Sequence, residues 1–235
     1  MDSIHVALIF GSPLRSSLAK TKFRILPVLI VFFLLSGASH ATPLRISCGD
    51  QVSGWEEKIF NGQVDYQAVI DDGRQVLQAE SKGKASALIY RLNVDPHQYP
   101  KLRWRWKIDK ILEKGHAGQK AGDDYPARVY IIFDSWLPNY ARSINYIWAS
   151  KVDRETLIVS PYYRRSIMLA VNSGPESVGR WVIEERDLLS DYKRAFGGKI
   201  PLIKAIAIMS DGDNTGESSM AWYDWVEFLP ANGKP

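Results

Sequence analysis

The feature that most constrains this chain is a two-residue rhythm. In Leu102-Arg103-Trp104-Arg105-Trp106-Lys107, every second side chain is apolar and the ones between are cationic. Successive side chains of an extended strand point to opposite faces, so this segment is a strand with one face in a core. A helix would scatter the three apolar residues around its circumference. In Arg128-Val129-Tyr130-Ile131-Ile132-Phe133-Asp134, Val129, Ile131 and Phe133 take the core side. Arg128, Tyr130 and Asp134 take the other, with Ile132. Ten segments read as strands: 66–71, 74–81, 86–93, 101–108, 127–134, 144–148, 167–172, 180–186, 203–210 and 221–229. Turn cues such as Asp72-Gly73, Asp95-Pro96 and Asn172-Ser173-Gly174-Pro175 separate them. One helix is predicted over 187–196. Leu188, Leu189, Tyr192, Ala195 and Phe196 form its apolar stripe, Asp187 caps its start, and Gly197-Gly198 ends it. A weaker helical turn is expected over 137–143. The pattern predicts an all-β fold, a jelly-roll-like antiparallel β-sandwich with one short helix.

The N-terminus reads differently. Arg15, Lys20, Lys22 and Arg24 precede an apolar run over 25–35, which Ser36-Gly37-Ala38-Ser39-His40-Ala41 follows. A basic stretch, a short apolar core and a small-x-small end is the layout of a secretion signal, cut after Ala41. The run is shorter than the about 20 residues that cross a bilayer, so no membrane span is expected after cleavage. The expected organisation is a signal peptide over 1–41 and one domain over 42–235, periplasmic or secreted. The leader takes four of the 30 basic residues and one of the 26 acidic ones. The remainder is near neutral, which gives no broad attraction to nucleic acid. Cys48, the single cysteine, cannot form an internal disulfide and lies too far past the apolar run for lipid attachment.

The ordered set Trp104-Arg105-Trp106, Gly122-Asp123-Asp124 with Arg128-Val129-Tyr130, and Asn145-Tyr146-Ile147-Trp148-Ala149 resembles the bacterial domain-of-unknown-function family 3047. So do Trp181, Glu185-Arg186-Asp187, Asp191-Tyr192, Phe196-Gly197, the run from Met209 to Gly216, and Ala221-Trp222-Tyr223. The likeness spans roughly residues 54–228. Where the family pattern leads to an expectation of Thr-Asp, this chain has Ser210-Asp211-Gly212-Asp213. The resemblance implies an exported single domain and brings no activity with it.

Chemistry is thinly signalled. His97 and His116 are the only histidines beyond the leader, and both fall in apparent turns or loops. No Gly-x-Ser-x-Gly elbow, His-Glu-x-x-His or cysteine cluster supports a hydrolytic triad or a zinc site. The oxygen-rich turn Asp211, Asp213, Asn214 and Thr215 is the candidate cation loop, with Ca²⁺ the fitting ion and Asp123, Asp124 or Asp224 as remote ligands. The alternative is an ordinary turn in which these side chains bond their own backbone. Eight tryptophans and eleven tyrosines give stacking surfaces of the kind sugar rings use. Trp136, Tyr140, Tyr162 and Tyr163 lie in apparent loops; Trp104, Trp106, Trp148, Trp181 and Trp225 read as core. The resulting expectation is a non-catalytic domain binding a glycan or similar polar small molecule. Arg105, Asp124, Arg128, Tyr130, Tyr146, Glu185 and Arg186 are its candidate ligand residues on one polar sheet face. A polysaccharide lyase or hydrolase on the same face, and an envelope domain that binds only protein, are the alternatives.

Overall fold

The computed structural model describes residues 41–50, 54–137 and 140–231. Residues 1–40 of the expected leader lie outside them, as do Pro138 and Asn139 of the expected helical turn. In chain order the elements are β1 (Leu44–Ser47), β2 (Glu56–Asn61), β3 (Asp65–Asp71), β4 (Arg74–Glu80), β5 (Ala85–Val94), β6 (Lys101–Ile108) and β7 (Arg128–Phe133). There follow β8 (Ser143–Ala149), β9 (Leu157–Val159), β10 (Ser166–Ser173), β11 (Val182–Asp187), α1 (Leu188–Phe196), β12 (Ile203–Asp211) and β13 (Met220–Leu229).

They build two sheets packed face to face. The six-stranded sheet runs β11-β6-β13-β4-β3, and β1 also pairs with β13. The seven-stranded sheet runs β2-β5-β12-β7-β8-β10-β9. All ten predicted strands are present, and α1 starts after the Asp187 cap, whose carboxylate accepts the Ser190 amide. Asp72 and Gly73, both at positive φ, make the tight two-residue turn between β3 and β4.

The alternation in β6 resolves as its pattern requires. Leu102, Trp104 and Trp106 are buried between the sheets, while Arg103, Arg105 and Lys107 lie on the outer face. Trp104 meets Trp106 edge-on at 5.4 Å and stacks on Tyr146 at 5.0 Å. Trp148 closes on Trp106 at 5.7 Å. Burying each such ring contributes on the order of 3 kcal/mol, so this aromatic cluster is a main cohesive contact between the layers. Helix α1 plugs one end of the sandwich with Leu188 and Tyr192, the latter edge-on to Phe133 at 4.8 Å.

The structure departs from the sequence reading in several places. β1, β2 and β9 were not foreseen: β2 is an exposed edge strand rich in Glu and Lys, and β9 has three residues. The sheets are not wholly antiparallel, because β8 and β10 run parallel. A parallel neighbour needs a long return connection, and the segment between β8 and β10, with β9 inside it, supplies one. At the expected 137–143 turn, β8 already begins at Ser143. Trp181 and Trp225 are not in the inter-sheet core; they sit on the outer face of the six-stranded sheet beneath arginines.

Candidate functional site

The predicted ligand residues do not share one face. Alternation tells which side of a strand faces away from the core, but not which sheet that strand joins. Arg105 and Glu185 lie on the outer face of the six-stranded sheet. There Arg105 reaches Asp224 at 2.5 Å and Asp72 at 3.1 Å, with its guanidinium 4.2 Å from the Trp181 ring. Glu185 pairs with Lys101 at 2.8 Å. Along the same face Glu227 is shared by Arg45 and Arg103, and Asp71 takes both the Lys107 ammonium and the Trp181 indole N–H. The bond from Lys107 holds the Asp71 carboxyl below its usual range. This surface is a ladder of matched charges braced by cation–π contacts.

Tyr146 and Arg186 lie at the mouth between the sheets. Tyr146 is a core residue whose hydroxyl donates to Asp191 at 3.1 Å. Arg186 pairs with Asp191 at 2.8 Å and also with Glu155, which Arg194 binds too. Nearby, buried Glu184 has only loose partners, Asn172 at 3.4 Å and Arg154 at 3.8 Å, and burial pushes its carboxyl up to about 7.

The other candidates do converge, on the outer face of the seven-stranded sheet. Strands β7 and β12 place Arg128 and Asp211 side by side there, both buried. The Arg128 guanidinium donates to both Asp211 carboxylate oxygens, to the Asp123 carbonyl and, at 3.0 Å, to the Tyr130 hydroxyl. It lies 4.3 Å from the Tyr125 ring. Burial works against its charge, and Asp211, Tyr130 and Asp123 overcome that, holding its pKa above the ordinary value. Tyr223 reaches through from the opposite sheet; its hydroxyl donates to the Met209 carbonyl and accepts the Arg128 amide.

Two loops close over this corner. Asp124, fully buried, accepts the backbone amides of Asn214 and Thr215 and the Asn214 side chain. Glu217 in turn accepts the amides of Glu113 and Lys114. Gly212 is required for this closure, since a Cβ there would fall 2.1 Å from the Glu217 carbonyl oxygen. Carboxylate oxygens of Asp124, Asp211 and Asp213 lie within 4.8 Å of one another. With Asp123, that sets four acids around one guanidinium. Burial pushes the Asp123 and Asp213 carboxyls up. The Asp trio is the set able to take a hard cation. Asn214 and Thr215 are differently engaged: Asn214 bonds Asp124 and Tyr162, and the Thr215 hydroxyl accepts the Glu217 amide. Only the Thr215 bond is local to the turn; Asn214 is tied to residues far away in the chain.

A third segment, between β9 and β10, crosses the face. The Tyr162 hydroxyl bonds Asn214 and the Lys120 carbonyl, while the Tyr163 hydroxyl reaches the Ala141 carbonyl near the start of β8. Beside Tyr130, directly across the β7–β8 pairing, stands Asn145. It is 1% exposed, and its side-chain oxygen accepts no hydrogen bond. From Tyr130 toward β5 the floor is made of small side chains, Ala85, Ala87, Ala205 and Ala207, flanked by Phe60, Met209, Ile89 and Ile132. Sequence reasoning missed Asn145 as a site residue. The signal was an amide in a strand that is otherwise apolar apart from its first residue, Ser143.

Among the described residues no helix is long and apolar enough to cross a membrane. The family model described as "Protein of unknown function (DUF3047)" matches residues 53–227, and the chain belongs to that family. No curated protein matches it. Similar solved structures include the family 30 carbohydrate-binding module of a cellulosomal cellulase of Clostridium thermocellum. That module is 9% identical and covers 82% of this chain and 100% of its own, at a TM-score of 0.46. The xyloglucanase domain of NopAA, a type three effector from Sinorhizobium fredii, is 12% identical, covering 81% and 99% at 0.44. The K1 cleaved adhesin domain of Lys-gingipain from Porphyromonas gingivalis W83 is 14% identical, covering 82% and 100% at 0.42.

Proposed function

Taking membership of this family as the premise, we propose that the chain is an exported, non-catalytic domain. It binds a glycan or similar polar ligand on the outer face of its seven-stranded sheet. One observation carries the reading: the buried Asn145 carbonyl oxygen with no partner, beside Tyr130 and the Arg128–Asp211 pair. A buried acceptor left unpaired costs about 1–3 kcal/mol, and native folds seldom leave one without a use. A ligand hydroxyl that reached the Asn145 amide would meet that need, and the neighbouring Tyr130 ring would offer an apolar surface for the face of a sugar ring. Ca²⁺ is proposed at Asp124, Asp211 and Asp213, where it would offset the surplus of acid and brace the loops. A signal over residues 1–41 would carry the domain to the periplasm or the medium.

The test is thermal unfolding of the purified protein against an oligosaccharide panel, with Ca²⁺ and with chelator. A ligand at about 100 times its Kd adds roughly 2.7 kcal/mol, a shift of several degrees in a domain of this size. A flat panel sinks the glycan reading. Release of reducing ends in the same mixtures would favour the lyase or hydrolase alternative.

A further inference from the structure

We propose that the end of the sandwich away from the Arg128 corner docks on an anionic lipid surface, with Trp136 as the side chain that enters it. This goes beyond the binding reading above and does not depend on it. β7 begins at Arg128 and ends at Phe133, so the loop that follows stands at the far end of the seven-stranded sheet. Other segments reach the same end. The Leu202 carbonyl, just before β12, accepts the Asp134 amide, and the Arg165 carbonyl, just before β10, accepts the Ser143 amide. The apolar part of this end is bare. Trp136 is 87% exposed, more than any other large apolar side chain among the described residues. Tyr140, in the same loop, and Leu202 are exposed as well. The core beneath them is already closed. Tyr192 of α1 packs edge-on against Phe133, and Arg142 donates to the Tyr192 hydroxyl at 2.7 Å with its guanidinium 5.2 Å from the Phe196 ring.

The charge around this tip is of one sign. Arg164 and Lys199 are exposed, and neither they nor Arg142 and Arg165 form an ion pair among the described residues. The Arg165 guanidinium lies 4.6 Å from the centre of the Tyr140 ring. The acids at this end are engaged. Asp134 pairs with Lys204 at 3.6 Å and accepts the Ser135 amide. Asp95, next to Val94 across from Ile203, accepts the His97 amide in a turn. A bare indole ringed by unmatched cations suits a bilayer with anionic headgroups. Indole settles at headgroup depth, and Lys and Arg near the surface are drawn to negative lipid. The long stems of arginine let its charge stay among the headgroups while the ring goes deeper. A polyanionic glycan would meet the same cations but give Leu202 and Trp136 no apolar medium to enter.

The experiment is flotation of the purified protein with vesicles of phosphatidylcholine alone and of phosphatidylcholine mixed with phosphatidylglycerol. Binding to the mixed vesicles should be tighter by about tenfold or more, and should weaken as salt rises. Trp136→Ala, and Arg164→Glu with Lys199→Glu, should each lose about tenfold on the mixed vesicles. Both change exposed side chains, so melting should stay at the wild-type temperature. Ile70→Ser and Lys84→Glu, exposed positions on the β3–β4 hairpin and at the opposite end of the seven-stranded sheet, should leave binding as it is. Any pull by the apolar run over residues 25–35 is common to every variant, so hydrogen exchange locates the contact. The mixed vesicles should slow exchange in the loops that hold Trp136 and Arg164. Equal binding to both vesicles, or binding that neither variant weakens, overturns the proposal. Tighter binding to heparin or polygalacturonate than to lipid, kept in Trp136→Ala, gives the patch to a polyanionic glycan and overturns it as well. The oligosaccharide panel tests the other end of the sheet, so its outcome and this one are read separately.

Discussion

The two outer faces of the sandwich use the same residue types to opposite ends. On the six-stranded sheet each acid meets a base at the surface: Glu227 with Arg45 and Arg103, Asp224 with Arg105 and Arg74, Asp71 with Lys107. On the seven-stranded sheet one buried arginine faces a crowd of aspartates, and an amide oxygen has no donor. The first arrangement matches its charges within itself, although the Arg103 Nε there is a buried donor without a partner. The second is held together at a cost and stays unfinished. A face with spare acceptors and spare negative charge is where a partner makes the largest difference.

The sharpest way to break this contrast is to remove its central cation. Arg128→Met leaves Asp211 buried beside Asp123 and Asp124 with no counter-charge. Breaking a buried pair from one side costs about 3–5 kcal/mol, so thermal melting should fall by about 10 °C. Removing both charges in Arg128→Met with Asp211→Leu should recover much of that loss. If the single variant melts like wild type, the cluster is not what holds the corner. The matching change on the other face is milder. Asp224→Asn loosens Arg105 and Arg74 near solvent, and should cost about 1–2 kcal/mol by denaturant unfolding.

Acid titration should separate the faces by sign. Lys107 holds the Asp71 carboxyl low, so its stabilisation is present above the ordinary carboxylate pKa and is lost as pH falls through its lowered value. Burial holds Asp123 and Asp213 high, so their contribution is fully present below the ordinary value and is lost as pH rises through the raised one. Side-chain carboxyl NMR should place Asp71 on one side of about 3.9 and the other two on the opposite side. Finding all three on one side would erase the contrast. At the mouth between the sheets, Glu184 should titrate near 7. Relative to Glu184→Gln, wild-type stability should be greatest below about 4.5 and decline as pH rises through 7. The smallest effect belongs to the exposed pair: Lys101→Ala should leave the melting temperature essentially unchanged, because solvent and salt screen a surface salt bridge.

The fold was legible wherever a strand carried the period-two signal. β6 and β7 announce their buried and outer sides residue by residue, and α1 announces its cap. β2 has no such alternation to show, because an edge strand buries little. For the site, the sequence put Arg128, Tyr130, Asp124 and the 211–215 loop forward, and these meet. It also put Arg105 and Glu185 forward, on a strand pair belonging to the other sheet. Membership of a sheet is decided by long-range pairing, which no local pattern records. Tyr146 was misplaced for a simpler reason: its hydroxyl made it look like a face residue, while its ring stacks on Trp104 and only its tip finds Asp191.

The last strand among the described residues is an inner strand of its sheet. β13 pairs with β6, β4 and β1, and without it these are two separate strand pairs and a loose segment. Its Tyr223 also supports the Arg128 backbone from the opposite layer. A chain emerging N-terminus first therefore cannot close its sandwich until β13 arrives. Until then half the molecule waits as an open clasp, and the closing stroke joins the two halves of the six-stranded sheet and braces the Arg128 corner of the other sheet together.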